Sequence, residues 1–367
     1  MGGAFYAASD DEMAVHYNPA GLSRYSGGAQ FMMGTGVGFS EGTLSSLSFL
    51  GSSLTSLMGG TGGTGATTTL VSGLLGLSGK PVYLGLGVTP YFITRGLSFS
   101  LLLGDTKIQT GLLGNGLDIN ADTTVLVDNG VVVGLSRQFA GDKVAVGVSA
   151  KGLYRVGGHK VLTTADLVSN QGLTLGSLGG AGGGLEFDVG VLFKLPSKTP
   201  TWEWSAGVAV NNALATEFAS YRLVGPPPQL PRTVSLGLQG LYRGLKSVPY
   251  VRLLADFADV QLGGQAESDL GARSGSLTKH INCGVEIPLT RLITVRGGLH
   301  QGNWTAGLGL ELYLFKLTFA TYGEELLDGV GRMSSRRYSL QLSLGFGASG
   351  AGPASAKSAP PASAPKA

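Results

Sequence analysis

The chain has one cysteine, Cys283, so it can form no internal disulfide and no multi-cysteine metal centre. Only 13% of its residues are charged, about half the roughly 25% usual in soluble domains. The net charge of +3 is too small for a nucleic-acid footprint. No apolar run approaches the roughly 18 residues of a spanning helix, because Gly, Ser or Thr interrupts each one every few residues. What remains is a glycine-rich chain, with 62 Gly in 367 residues and a mean hydropathy of +0.22. A hydrophobic, charge-poor chain without spanning helices fits a transmembrane β-barrel better than a soluble all-β protein or a glycine-rich solenoid.

The period-2 pattern supports this. Val82, Leu84, Leu86 and Val88 alternate with Tyr83, Gly85, Gly87 and Thr89. The same alternation recurs from Leu97 to Leu103, Val131 to Leu135, Val144 to Val148, Leu185 to Phe193 and Trp204 to Val210. It continues from Val234 to Leu238, Val251 to Phe257, Ile281 to Val285, Ile293 to Leu299, Ala306 to Leu312, Phe315 to Phe319 and Tyr338 to Phe346. One face is aliphatic and aromatic, and the other is Gly, Ser, Thr and scattered charge. The expected fold class is therefore all-β, a transmembrane antiparallel barrel of about 14 strands. Leu44–Leu50 could add a short strand, while 51–80 and 156–183 read as long loops. Trp202, Trp204, Tyr242, Tyr250, Trp304, Tyr313 and Tyr322 lie near strand ends, as interfacial girdles do. The inward-facing charges would be Lys151, Arg252, Asp256, Glu286, Arg296, Glu311 and Lys316. Their mutual neutralisation, together with His280 and His300, accounts for them better than catalysis, since no nucleophile spacing is recognisable. The chain reads as a non-enzyme that needs no cofactor or metal. The Gly345–Gly350 G-x-G-x-x-G precedes a Pro/Ala tail in which no helix can start, so it is not a dinucleotide site.

The N-terminal stretch differs from the rest. It runs Met1-Gly2-Gly3-Ala4-Phe5, then Asp10-Asp11-Glu12, then Tyr17-Asn18-Pro19-Ala20-Gly21-Leu22. Asn-Pro followed by Ala-Gly is turn chemistry, so the stretch should form a compact, bent plug. Over roughly these first two dozen residues the chain resembles the FadL/PorV superfamily of outer-membrane β-barrels. That resemblance implies a hatch closing the lumen, here Asp10, Asp11, Glu12, Asn18, Pro19, Ala20 and Gly21. It also implies a cleaved leader ahead of Met-Gly-Gly, which this chain lacks. The organisation expected is a hatch over 1–26, a barrel over 27–346 and a disordered Ala/Pro/Ser/Lys tail over 347–367. The hatch acids need cations, and Arg296 is the first choice because a guanidinium can bind a carboxylate bidentately.

The function implied is a FadL-like outer-membrane channel for passive uptake of hydrophobic compounds such as long-chain fatty acids. Leu54, Leu57, Met58, Leu70, Val71, Leu74 and Leu75 are the candidate ligand pocket. The alternative is a PorV-like scaffold of a secretion or surface-attachment system without transport. The partners would be outer-membrane lipid and a hydrophobic small molecule, or secretion-system and periplasmic proteins, and not nucleic acid.

Overall fold

The computed structural model describes residues 1–45, 80–115, 118–163, 179–215, 217–220, 226–262, 276–312, 314–326 and 333–347. The strands are β1 (Gln30–Ser40), β2 (Val82–Thr94), β3 (Leu97–Asn115), β4 (Asp118–Phe139), β5 (Val144–Leu162), β6 (Gly180–Leu195), β7 (Trp202–Asn211) and β8 (Ala219–Ser220). They continue with β9 (Thr233–Tyr242), β10 (Val251–Gln261), β11 (Ile281–Pro288), β12 (Ile293–His300), β13 (Asn303–Glu311), β14 (Phe315–Glu325) and β15 (Ser334–Gly347). Each strand pairs antiparallel with its neighbours, and β1 pairs with β15 in register from Gln30↔Gly347 to Ser40↔Arg337. β5 pairs with β6, so the sheet has no free edge there and closes into a 14-strand barrel, with the two-residue β8 as an extra.

Closure satisfies every ladder without an edge, which lets strands cross a bilayer. The outward face is apolar: Phe31, Phe99, Val133, Val148, Phe187, Leu238, Leu253, Val295, Leu308, Phe319 and Leu340 are all exposed. The inward face carries buried Ser100, Lys151, Asp188, Arg252, Asp256 and Glu286. No helix among the described residues is long and apolar enough to cross a membrane. Connections 95–96, 140–143, 196–201, 243–250, 289–292 and 312–314 are short and lie at one end. The strand ends Ser40, Leu162, Asn211 and Gln261 lie at the other, together with the two-residue turn 301–302. An outward apolar belt on a closed antiparallel barrel is the architecture of outer-membrane barrels.

Several strands outrun the hydrophobic pattern. β5 continues to Leu162 and β6 starts at Gly180, inside the stretch that reads as a loop over 156–183. The β3–β4 hairpin likewise runs through the Gly/Asn/Asp-rich region as far as Asn115 and Asp118. These strand ends project beyond the belt, where nothing requires the outward face to be apolar, so alternation fades while the ladder continues. Glu41–Ser45 is a short α-helix, so Leu44 and Ser45 begin no strand, and the rest of Leu44–Leu50 lies outside the described residues. Trp202 and Trp204 stack with centroids 5.2 Å apart, and Tyr242 adjoins them at the short-turn end. Tyr250 and Tyr322, by contrast, turn inward. Tyr250 Oη donates to Glu286 at 3.0 Å and Tyr322 packs edge-on to His300.

Candidate functional site: the N-terminal segment and the lumen wall

The N-terminal segment runs inside the barrel. Residues 1–3 lie on β11 and β12, where a Cβ at Gly284 would collide with the Met1 backbone. Residues 5–8 pass β10, β9 and β7, and the Tyr6 carbonyl occupies the space that a side chain at Gly207 would need. Asn18 and Pro19 sit against Gly190 of β6, Pro19 and Ala20 against Gly147 of β5, and Leu22 against Gly134 of β4. Glycines at these wall positions let one backbone pack directly on another. The apolar part of the segment is buried: Ala4, Ala7, Ala14, Ala20 and Leu22 have no exposed surface, and Val15 and Leu22 form a cluster with Tyr91, Ile93 and Val132 of the wall.

Asn18 organises the bend. Its Oδ1 accepts the Ala20 N–H at 3.2 Å, capping the 3-10 turn Pro19–Arg24 with Pro19 in its first turn. Its Nδ2 donates to the Tyr6 carbonyl at 2.9 Å and reaches the carbonyls of Val191 and Val208 at 3.3 and 3.4 Å. One side chain thus ties both halves of the segment to the β6–β7 seam. Gly21 has no room for a side chain, because Ser9 lies where its Cβ would go.

The acids meet two cations of the wall. Asp10 Oδ2 lies 2.7 Å from Arg252 Nη2, and Glu12 Oε1 lies 3.1 Å from Lys316 Nζ. Arg296, the expected first partner, instead binds Glu286 at 2.7 Å. The register explains this: Arg252, Glu286 and Arg296 stand side by side on β10, β11 and β12. Glu286 takes Arg296 on one side and lies 3.4 Å from Arg252 on the other, leaving Arg252 to turn its second face to Asp10. Asp11 receives the Met13 N–H at 2.9 Å. Burial, reinforced by the neighbouring Glu12 charge, pushes its carboxyl up to about 7. Burial opposes ionisation of Glu12 as well, but Lys316 outweighs it and holds that carboxyl below its usual value. His16 is driven down to about 4 by burial and then by the charge of Lys151.

The other inward charges divide by partner. Lys151 bonds Glu186 and Asp188 of β6 at 2.9 and 2.7 Å, so its charge is met within the wall. Glu311 stands opposite Lys316 in the β13–β14 register. Asp256 accepts the backbone N–H groups of Phe5 and Tyr6 at 2.5 and 2.9 Å and so holds the segment without a cation. Sequence reasoning missed Asp259, which accepts from Tyr6 Oη at 2.7 Å. Asp259 is reached through a bulge in β10, where its φ is +57° and the β9–β10 register slips. Alternation alone cannot find a residue that breaks it. Leu54, Leu57, Met58, Leu70, Val71, Leu74 and Leu75 lie outside the described residues.

Two contacts bridge the lumen. Glu12 holds Lys316 on β14, and Asn18 holds Val191 on β6. β6 and β14 are seven places apart in the fourteen-strand ring, so they face each other across the bore. The span between them, including the short helix α1 (Ala14–Tyr17), crosses from wall to wall.

No protein-family model and no curated protein matches the chain. Among solved structures it is similar to the toluene transporter TbuX of Ralstonia pickettii, at 13% identity and TM-score 0.49 over 94% of this chain and 96% of that one. It is also similar to the toluene transporter TodX of Pseudomonas putida, at 12% identity and TM-score 0.45 over 94% and 95%. A third is the monoaromatic hydrocarbon channel CymD, at 10% identity and TM-score 0.46 over 94% of each chain.

Proposed function

We propose that residues 1–25 are a hatch and that the protein is a FadL-type outer-membrane channel for passive uptake of hydrophobic compounds. The observation that carries this is the bridge from Lys316 through Glu12 and α1 to Asn18 and the opposite wall. A bore crossed by a packed, ion-paired segment offers no straight path to a polar solute. A hydrophobe needs only an apolar path between lumen and bilayer. The wall offers two places for one. A shallow, open depression in the wall lies at β4–β6, lined by Gly130, Gly152, Leu153, Gly183 and Leu185 among others. The β3–β4 register also breaks between Leu102 and Asp105, around Gly104 at φ +61°. Long-chain fatty acids belong to this class of cargo, and Leu54, Leu57, Met58, Leu70, Val71, Leu74 and Leu75 would form the pocket that takes it.

The dense anchoring of the segment, Asp256 on its backbone and Arg252 on Asp10, favours a second reading. A barrel that never opens would serve as a scaffold for secretion or surface-attachment proteins. Uptake separates the two. In a Gram-negative host lacking its own hydrophobe channels, expression should accelerate entry of radiolabelled toluene or oleate over an empty-vector control. A correctly folded barrel that speeds entry of neither would overturn the channel in favour of the scaffold.

A further inference from the structure

β7 ends at Asn211, and its pairing with β6 covers only Val189 to Leu195 on that strand. Beyond that point the β7 side of β6 is met by β8, whose Ser220 and Ala219 pair with Gly182 and Gly183. The chain reaches this position by a turn pinned to the wall, with the Asn212 N–H donating to Asp188 at 3.0 Å. Two consecutive residues then take opposite environments: Glu217 is exposed, while Phe218 is only 6% exposed.

The Phe218 ring lies against Arg155 and Gly184 of the wall. The Arg155 guanidinium carbon stands 5.0 Å from the ring centroid, a cation–π distance. That guanidinium is fixed by Asp128, which accepts from Nε and Nη2 at 2.8 Å each, and by the Pro228 carbonyl, which accepts from Nη1 at 3.0 Å. Gly184 borders the ring: a Cβ there would lie 3.0 Å from it, so the ring packs closely on the strand at a position without a side chain. Leu153 is the cross-strand partner of Gly184 on β5. Phe218 is less firmly tied than this slot between Arg155 and Gly184. Among the described residues its strand holds the wall through two residue pairs, and the Phe218 N–H bonds Gln229 of its own connection.

We propose that the slot between Arg155 and Gly184 is a subsite for a neutral aromatic ring of the incoming hydrophobe, filled in the unliganded protein by Phe218. The inference rests on the channel reading and narrows it to cargo with a planar ring. A flat ring presents its face to a guanidinium and packs closely where the wall has no side chain, whereas a flexible alkyl chain gains nothing from the guanidinium. The depression at Gly130, Gly152 and Gly183 adjoins the same stretch of wall.

The test compares 4-fluorotoluene with 1-fluorohexane by ¹⁹F NMR on the full chain in nanodiscs, against empty nanodiscs. An internal competitor that holds the slot most of the time weakens apparent affinity by the fraction of time the slot is free, so Phe218→Ala should bind 4-fluorotoluene about ten-fold tighter than wild type. Its 1-fluorohexane affinity should stay nearly unchanged, and Phe218→Trp should not show the gain. Adding Arg155→Lys to Phe218→Ala, which keeps charge but loses the plane, should cancel most of it. Should Phe218→Ala fail to give a heat-modifiable barrel, Phe218→Leu makes the same comparison. An equal gain for both probes, or none for either, would overturn the aromatic subsite, Phe218 then being packing alone. Toluene and oleate uptake by the same variants separates the two levels: uptake that persists leaves the channel standing without the subsite, and its absence removes both.

Discussion

Arg252 Nη2 lies 2.7 Å from Asp10 Oδ2, although 242 residues separate the two. The same guanidinium faces Glu286, which is itself bonded by Arg296. One wall arginine thus connects the N-terminal segment to a row of alternating charge across β10, β11 and β12. Removing one partner of a largely buried pair leaves the other without compensation. Arg252→Gln should therefore loosen the segment and raise single-channel conductance in planar bilayers. The double exchange Asp10→Arg with Arg252→Asp should restore part of the closure. Unchanged conductance in Arg252→Gln would mean that this pair does not hold the segment.

Deleting residues 1–25 should leave a folded, heat-modifiable barrel with a larger conductance, because each ladder of the wall closes without them. A deletion that folds yet conducts as wild type does would place the barrier elsewhere.

Gly190→Ala and Gly147→Ala should displace the segment without altering any charge. A methyl at either position collides with Asn18, Pro19 or Ala20. Asn18→Ala removes the amide that bonds Tyr6 and both wall carbonyls, at about 1–3 kcal/mol of docking free energy. Hydrogen exchange over residues 4–25 should speed up in all three variants while the strands stay protected.

The pH response of the segment should have two arms of opposite sign. The Asp11 carboxyl is raised to about 7 in the folded protein, so its contribution is full below the ordinary aspartate range, near 4, and is lost as pH rises through 7. His16, depressed to about 4, and Glu12, held low by Lys316, contribute stability at neutral pH that is lost on acidification. Conductance should rise as pH climbs from about 6 to 7 in the wild type and level off above, and Asp11→Asn should flatten that limb. A wild-type limb that persists in Asp11→Asn would assign it to another group.

Leu308→Arg places a charge on the lipid face and should cost about 2–4 kcal/mol near mid-membrane. Gln341→Arg, on the lumen face of β15, should cost less in urea unfolding from lipid vesicles. Gly309 is a poor control, because the Arg296 guanidinium stands 2.9 Å from where its Cβ would be. Equal costs at 308 and 341 would mean that the register of the wall is wrong.

Sequence by itself determined the wall within the membrane. Lipid on one side and a polar lumen on the other force strict alternation, so Val295, Leu308 and Leu340 announce their face and strand number follows from the repeats. It also marked the N-terminal bend, since Asn18-Pro19-Ala20-Gly21 admits few backbone conformations. It could not mark where strands end beyond the belt, because no solvent there imposes a pattern. Nor could it choose among the inward cations. Arg252 rather than Arg296 meets Asp10 because barrel closure puts Glu286 between them, and register is a property of paired strands, not of either strand alone. The β10 bulge that brings Asp259 to Tyr6, and the end of β7 that lets Phe218 turn inward beside Arg155, have the same origin. Each is a departure from ladder geometry that takes meaning only when a distant segment arrives to fill it, and that meeting is decided by tertiary structure.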